Sequence, residues 1–304
     1  MADLTTRLGK LKLANPVILA SGICDVTADM MLAAIAGGAA AVVTKSVGLE
    51  PREGHKGPSV VETECGLLNA MGLPNPGMEL FHHEISKVAD EGGIVIASVF
   101  GKTPQEFARL AKMAESAGAK AVELNLSCPH AKGYGAELGT DPEMVLTVTR
   151  VVKRAVKVPV MPKLTPNTSN IAELAVAAEK GGADAVVAIN TLKGMKIDID
   201  LARPVLGNKI GGYSGPGIKP VGVRCVYEIA GAVKIPLVGV GGIENGWDAV
   251  EYAMAGASAV QVGSAVWRRG MGVFGEITGE MDAFMKSRGH KSFGSMVGLA
   301  RRAR

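Results

Sequence analysis

The sequence predicts an α/β protein folded as a (β/α)8 (TIM) barrel, and three observations carry that reading. Eight short apolar segments, rich in Val, Ile and Ala, alternate with helical stretches over the ~250 residues that such a barrel occupies. Their near-continuous apolar character means burial on both faces, as in a parallel sheet wrapped by helices. Ala117-Gly-Ala-Lys-Ala-Val122, Gly181-Gly-Ala-Asp-Ala-Val186 and Ala255-Gly-Ala-Ser-Ala-Val260 repeat one helix-to-strand junction, a glycine stop followed by a tight turn. That internal repeat favours a closed barrel over a doubly wound open sheet. One domain over 1–304 is expected.

Residues 4 to 13 read as a short hairpin ahead of the barrel, Leu4 to Leu8 and Leu11 to Leu13 around Gly9-Lys10. Asn15-Pro16 launches strand one, Val17 to Ala20, which ends in Ser21-Gly22. A helix follows over 27–36, started by Thr27 and stopped by Gly37-Gly38. Strand two, Ala41 to Thr44, ends in Lys45-Ser46 and opens a Pro- and Gly-rich insertion, 47–77, holding Asn69-Ala-Met-Gly-Leu-Pro74. A connection of that length inside a compact domain is usually functional. Helix two covers 78–90. Strand three, Ile94 to Ala97, leads to a helix from Thr103-Pro104 to Ser116. Strand four starts at Ala121 and breaks at Pro129, and its helix opens at Asp141-Pro142, an N-cap with proline in the first helical position. Val158 to Lys163 precedes a helix from near Ser169, and Ala185 to Asn190 precedes a second long insertion, 191–217, and a helix over 219–232. Ile235 to Val240 precedes a helix over 246–255, and Ala259 to Val262 a last one over 274–287.

Composition narrows the class further. The 304 residues are 47% hydrophobic and 20% charged, ample for a substantial core. The net charge of +4 is scattered, so no nucleic-acid footprint is expected, and Arg301-Arg-Ala-Arg304 reads as a solvated tail. Cys24, Cys65, Cys128 and Cys225 are far apart and form no CxxC pair, so neither a zinc site nor an iron–sulfur cluster is expected on this chain. The first residues lack the apolar stretch of a signal peptide, and no run of about 18 apolar residues is present. A docking helix ahead of the barrel is not expected, since the first core strand follows Pro16 directly. A reducing cytoplasm is the expected home.

Barrel chemistry sits at the carboxyl ends of the strands. Here those ends offer Ser21, Lys45-Ser46, Ser98, Asn125 with Ser127 and Cys128, Lys163, Asn190-Thr191, Gly241-Gly242 and Gly263-Ser264. Two lysines and two asparagines gathered at one mouth need hydrogen-bond partners, which a polar, partly anionic ligand would supply. The glycines after strands seven and eight suit phosphate, because backbone N–H groups can approach its oxygens closely; tight turns alone are the competing explanation. Gly211-Gly-Tyr-Ser-Gly-Pro-Gly217 offers further donors. Cys128 is lifted off a strand tip by Pro129 into the loop Lys132-Gly-Tyr-Gly-Ala136, where a thiol can react instead of packing inertly.

The ordered set Ala20-Ser-Gly22, Lys45-Ser46, Leu68-Asn-Ala-Met-Gly-Leu73, Glu123-Leu-Asn-Leu-Ser-Cys-Pro129, Lys163-Leu-Thr-Pro-Asn167, Ile189-Asn-Thr191, Gly212-Tyr-Ser-Gly-Pro-Gly217, Gly239-Val-Gly-Gly242 and Val262-Gly-Ser264 closely resembles the dihydroorotate dehydrogenases. The likeness runs over nearly the whole chain and is nearest to the catalytic subunits of the class 1, type B (NAD-linked) group. It implies an FMN-containing barrel that oxidises dihydroorotate to orotate in pyrimidine synthesis. Cys128 would be the base that takes the C5 proton while hydride leaves C6 for the flavin. The resemblance assigns Ser21, Lys45, Ser46, Ser98, Asn125, Lys163, Ile189, Gly215, Gly241, Gly242, Gly263 and Ser264 to FMN. It assigns Lys45, Asn69, Ala70, Met71, Gly72, Leu73, Asn125, Asn190 and Thr191 to the substrate, and residues 129 to 138 to a lid that excludes water. Lys163 would face the negative charge of the reduced ring, and Ser98 stands where family members often place an asparagine.

Cysteine as the base, with no N-terminal membrane helix, points away from the quinone-linked class. Ser214-Gly-Pro-Gly-Ile-Lys-Pro220 and Ile189-Asn-Thr-Leu-Lys-Gly194 resemble type B over the fumarate-linked type A. Type B implies a partner subunit carrying FAD and a [2Fe-2S] cluster that passes electrons to NAD+, and a catalytic homodimer within a heterotetramer. Two rival readings stay open at this point. A dihydropyrimidine dehydrogenase-like barrel shares Asn-Leu-Ser-Cys-Pro-His and FMN but reduces uracil or thymine. A redox-silent phosphate-binding isomerase or lyase explains the glycines but leaves Cys128 and Lys163 without a task. A flavin barrel that modifies tRNA would need a basic face or an appended domain, and the sequence offers neither.

Overall fold

The computed structural model describes residues 2–126 and 138–302. Eight parallel strands close a barrel: β1 (Val17–Leu19), β2 (Ala41–Val43), β3 (Val95–Val99), β4 (Ala121–Asn125), β5 (Val160–Leu164), β6 (Val186–Ala188), β7 (Leu237–Val240) and β8 (Ala259–Val262). Each pairs with its successor in the chain, and β8 returns to β1 through Val260 beside Val17. Around them lie α1 (Ala28–Ala36), α2 (Met78–Asp90), α3 (Pro104–Ser116), α4 (Pro142–Ala155), α5 (Ile171–Lys180), α6 (Lys219–Ala232), α7 (Gly246–Ala255), α8 (Ala265–Arg269) and α9 (Val273–Arg288). The expected (β/α)8 architecture is therefore the observed one.

Local chemistry explains the boundaries. Thr27, Thr103 and Asp141 each accept a hydrogen bond from a backbone N–H in the first turn of the helix they open, and Pro104 and Pro142 follow at positions where no N–H is needed. α7 begins with a reciprocal capping box between Asn245 and Asp248. The repeated junctions turn on Gly118, Gly182 and Gly256, whose φ angles of +100°, +93° and +135° are strained for any residue with a Cβ.

Alternation along the strands builds two apolar shells. Val17, Leu19, Val42, Val95, Val122, Val160 and Val186 pack outward against the helices. Ile18, Val43, Ile96, Ala121, Met161, Val187 and Val238 point inward, joined by Leu8, Leu11 and Leu13 of the N-terminal hairpin (Thr6–Leu8 with Leu11–Leu13). That hairpin plugs the amino end of the barrel, so any ligand space must lie at the carboxyl end. One step nearer that end the inward positions turn polar, with Ser98, Glu123, Lys163 and Gln261 all buried.

The two insertions differ from their sequence reading. The sequence assigns no strands to either, yet Val60–Thr63, Gly66–Asn69, Gly211–Ser214 and Leu192–Gly194 form one four-stranded antiparallel sheet that joins both insertions. Its central pairing is between segments far apart in the chain, and its glycines mask the strand pattern. They are there for close approach: a Cβ on Gly66 would collide with the Ser214 carbonyl oxygen, and one on Gly211 with that of Asn69. The short helix α8 was likewise not legible, being a single tight turn after β8.

Candidate active site

Between the barrel mouth and the four-stranded sheet lies a cavity of about 710 Å³, a volume suited to a small ligand or cofactor. Strand ends bring Ser21, Lys45, Ser46, Asn125, Lys163, Ile189, Asn190 and Thr191 to its wall. The first insertion contributes Asn69, Ala70, Met71, Gly72 and Leu73, and the glycine loops contribute Gly215, Gly241, Gly242, Gly263 and Ser264. Ser98 is the exception. It is fully buried behind the wall, its Oγ lying 2.8 Å from Ser46 Oγ, so it supports Ser46 and does not itself face the cavity. Cys128 and most of the 129–138 loop lie outside the described residues.

A hydrogen-bonded relay orders the polar wall. Asn125 Nδ2 donates to Ser46 Oγ at 3.0 Å, and Asn190 Nδ2 donates to Asn125 Oδ1 at 3.2 Å. Asn190 Oδ1 in turn accepts the Thr191 N–H at 2.8 Å, which fixes the orientation of both amides. Asn69 is tied across the sheet by Nδ2 donating to the Gly212 carbonyl at 3.2 Å. The segment after it is braced by two residues that also line the cavity: Arg52 Nε donates to the Gly72 carbonyl at 2.7 Å, and the His55 N–H to that of Met71 at 3.0 Å. Burial raises the Asp25 carboxyl above its ordinary range, against the Gly22 N–H that donates to it at 2.5 Å. Burial likewise raises Glu244, which accepts from Ser264 Oγ at 3.5 Å.

The glycine loops form a cradle. Gly242 has φ +70°, and a Cβ there would meet the Gly215 carbonyl oxygen at 2.7 Å and Lys219 Cβ at 2.8 Å. Beneath them Tyr252 donates its hydroxyl to the carbonyls of Gly241 at 2.7 Å and Val240 at 3.2 Å, and Gly239 and Gly222 leave room for its ring. The backbone N–H groups of Gly242, Gly263 and Ser264 donate to no acceptor among the described residues. Three donors at the edge of a cavity fit a phosphate group, as the sequence suggests for these loops. Gly242→Ala is expected to cost about 1–3 kcal/mol in loop strain, and so to weaken retention of a phosphate-bearing cofactor by roughly ten- to a hundredfold. Cofactor released on ultrafiltration measures this, and full retention would contradict the cradle.

The family model for dihydroorotate dehydrogenase matches residues 3–285. The chain belongs to the dihydroorotate dehydrogenase family. Among its relatives is the protein named dihydroorotate dehydrogenase B (NAD(+)), catalytic subunit, of Pyrococcus furiosus, 52% identical over 95% of both chains. Proteins of the same name from Pyrococcus abyssi and Methanosarcina mazei are 52% and 53% identical, over 98% and 95% of this chain and 99% and 93% of theirs. Membership of the dihydroorotate dehydrogenase family sets aside the redox-silent isomerase or lyase reading. Among the described residues, no helix is long and apolar enough to cross a membrane, and no cluster of three or more His, Cys, Asp or Glu could hold a metal ion.

Sequence reasoning overlooked Glu123, Gln261, Tyr252 and Asp25 as parts of this site. The first two carried a usable signal: each is a polar residue in the middle of an otherwise apolar barrel strand, where an unpaired polar group is costly. Tyr252 and Asp25 carried none, since their neighbours are set by tertiary contact.

Proposed function

We propose that the chain oxidises (S)-dihydroorotate to orotate in de novo pyrimidine (UMP) synthesis, with FMN bound in the cavity at the barrel mouth. The observation that carries this is the convergence on one cavity of strand-end, insertion and glycine-loop residues in a chain 52% identical to proteins named as NAD-linked catalytic subunits. FMN, when bound, would accept the hydride that leaves C6 of the substrate. The fit is supported by the three backbone donors at the glycine cradle and by the cavity volume.

The residues divide the work. Gly215, Gly241, Gly242, Gly263 and Ser264 hold the phosphate; Ser21, Lys45, Ser46, Asn125, Ile189 and Lys163 hold the rest of the cofactor, with Ser98 acting through Ser46. Lys45 neutralises the substrate carboxylate, and Asn69 to Leu73, Asn125, Asn190 and Thr191 present donors and acceptors to the planar amide-rich ring. Cys128 follows β4 by three residues and removes the C5 proton. A free thiol titrates near about 8.5, so turnover rises with pH through neutrality unless the site favours thiolate. Residues 129–138 exclude water.

The words "catalytic subunit" in the relatives' names support a further subunit. Its proposed cargo is FAD and a [2Fe-2S] cluster passing electrons to NAD+, in a cytoplasmic heterotetramer built on a homodimer of this chain. The described cysteines, Cys24, Cys65 and Cys225, are all free.

Anaerobic addition of dihydroorotate, and separately of dihydrouracil, to the purified protein tests the reading. Dihydroorotate is expected to bleach the flavin absorbance. Bleaching by dihydrouracil alone would replace this reading with the dihydropyrimidine dehydrogenase-like one, whose ligand has no carboxylate for Lys45.

A further inference from the structure

At the floor of the cavity, the polar layer of the barrel interior forms a closed network. Glu123 on β4, Lys163 on β5 and Gln261 on β8 meet there, 0%, 6% and 1% exposed. The Gln261 amide bridges the two charged groups: Nε2 donates to Glu123 Oε2 at 2.6 Å, and Oε1 accepts from Lys163 Nζ at 3.0 Å. Reversing the amide would set its NH2 against the ammonium and its oxygen against the carboxylate, so the partners dictate its orientation. Lys163 Nζ stands 3.4 Å from Glu123 Oε1, longer than the ~2.7–2.9 Å of a close charge-assisted hydrogen bond. That Oε1 is the one buried side-chain atom without a hydrogen-bond partner among the described residues. A buried ion pair held slightly open is a poor stabiliser, because apolar residues of the same volume would serve packing as well. All three residues line the cavity.

We infer that Glu123 and Gln261 are positioning residues that set how much positive charge Lys163 presents to a flavin bound in the cavity. The inference rests on the FMN reading above. Gln261 holds the ammonium off the carboxylate and available to the cavity. Glu123 offsets its charge, so the ring meets a tempered cation. A reduced flavin carries more negative charge than an oxidised one. A neighbouring cation therefore favours reduction and a neighbouring anion opposes it, in proportion to local Coulomb energy.

Two variants of the flavin-bound protein, read by midpoint potential, test this with opposite signs. Glu123→Gln keeps the shape and removes the offset; it is expected to favour reduced over oxidised flavin by about tenfold or more, a rise of about 30 mV. Gln261→Leu lets the ammonium close onto Glu123, and is expected to lower the midpoint by a similar factor. A purely structural role would loosen FMN in both variants and move neither potential. Should Glu123→Gln fail to fold, Lys163→Met compared with Lys163→Met/Glu123→Gln reads the same quantity without a buried unpaired cation, and the double variant should sit higher. No rise on removing the carboxylate overturns the inference, as does an unmoved or raised midpoint in Gln261→Leu. If dihydroorotate still bleaches the flavin in those proteins, only this inference falls; a chain that binds no flavin overturns both.

Discussion

Cys128→Ser should yield a yellow protein that still binds orotate but turns over dihydroorotate about 10²- to 10⁴-fold more slowly at neutral pH. That range is what a positioned general base contributes; a thiol supplies thiolate near neutral pH, whereas a serine hydroxyl is far less acidic and supplies almost no anionic base there. Binding should survive because the groups assigned to it come from other elements: Lys45 after β2, Asn69 from the first insertion, and Asn190 and Thr191 after β6. Stopped-flow reduction of the flavin by dihydroorotate, across pH, measures the loss. The parent rate should climb toward the thiol's titration range, and the variant should show no such climb there. Parent-like turnover in Cys128→Ser would remove Cys128 from the chemistry.

Lys45→Ala should weaken orotate binding by roughly ten- to a hundredfold, the loss of one charge-assisted hydrogen bond worth about 1.5–3 kcal/mol. FMN should be held much more nearly as before, since its phosphate relies on the glycine cradle across the mouth. Lys45 is placed for this by its own backbone, whose N–H donates to the Asp25 carbonyl at 3.1 Å. Titrating the flavin spectrum with orotate and measuring FMN release separately gives both numbers. Equal loss of the two ligands would contradict the assignment of Lys45 to the substrate carboxylate.

The barrel was legible because its information is local. Apolar strands, Thr27, Thr103 and Asp141 as caps, and glycine stops before β4, β6 and β8 each announce themselves within a few residues. Strand-end reading then placed Lys45, Asn125, Lys163 and Asn190 at one mouth, since a barrel sends every strand's carboxyl end to the same side. What stayed hidden depends on partners far off in sequence. Gly66 and Gly211 read as loop residues until the Ser214 and Asn69 carbonyls against them are known. Glu123 and Gln261 are 138 positions apart, and only barrel closure brings their side chains to 2.6 Å. Ser98 sits at a strand end like the others, but Ser46 stands between it and the cavity.

Deuterium at C5 and, separately, at C6 of dihydroorotate probes the central chemistry in the unaltered protein. Flavin bleaching should be slowed by either label. Substituting Cys128 should leave the C6 label effective while the rate collapses. Bleaching indifferent to the C5 label at every pH, and as fast without the sulfur at position 128, would contradict the account.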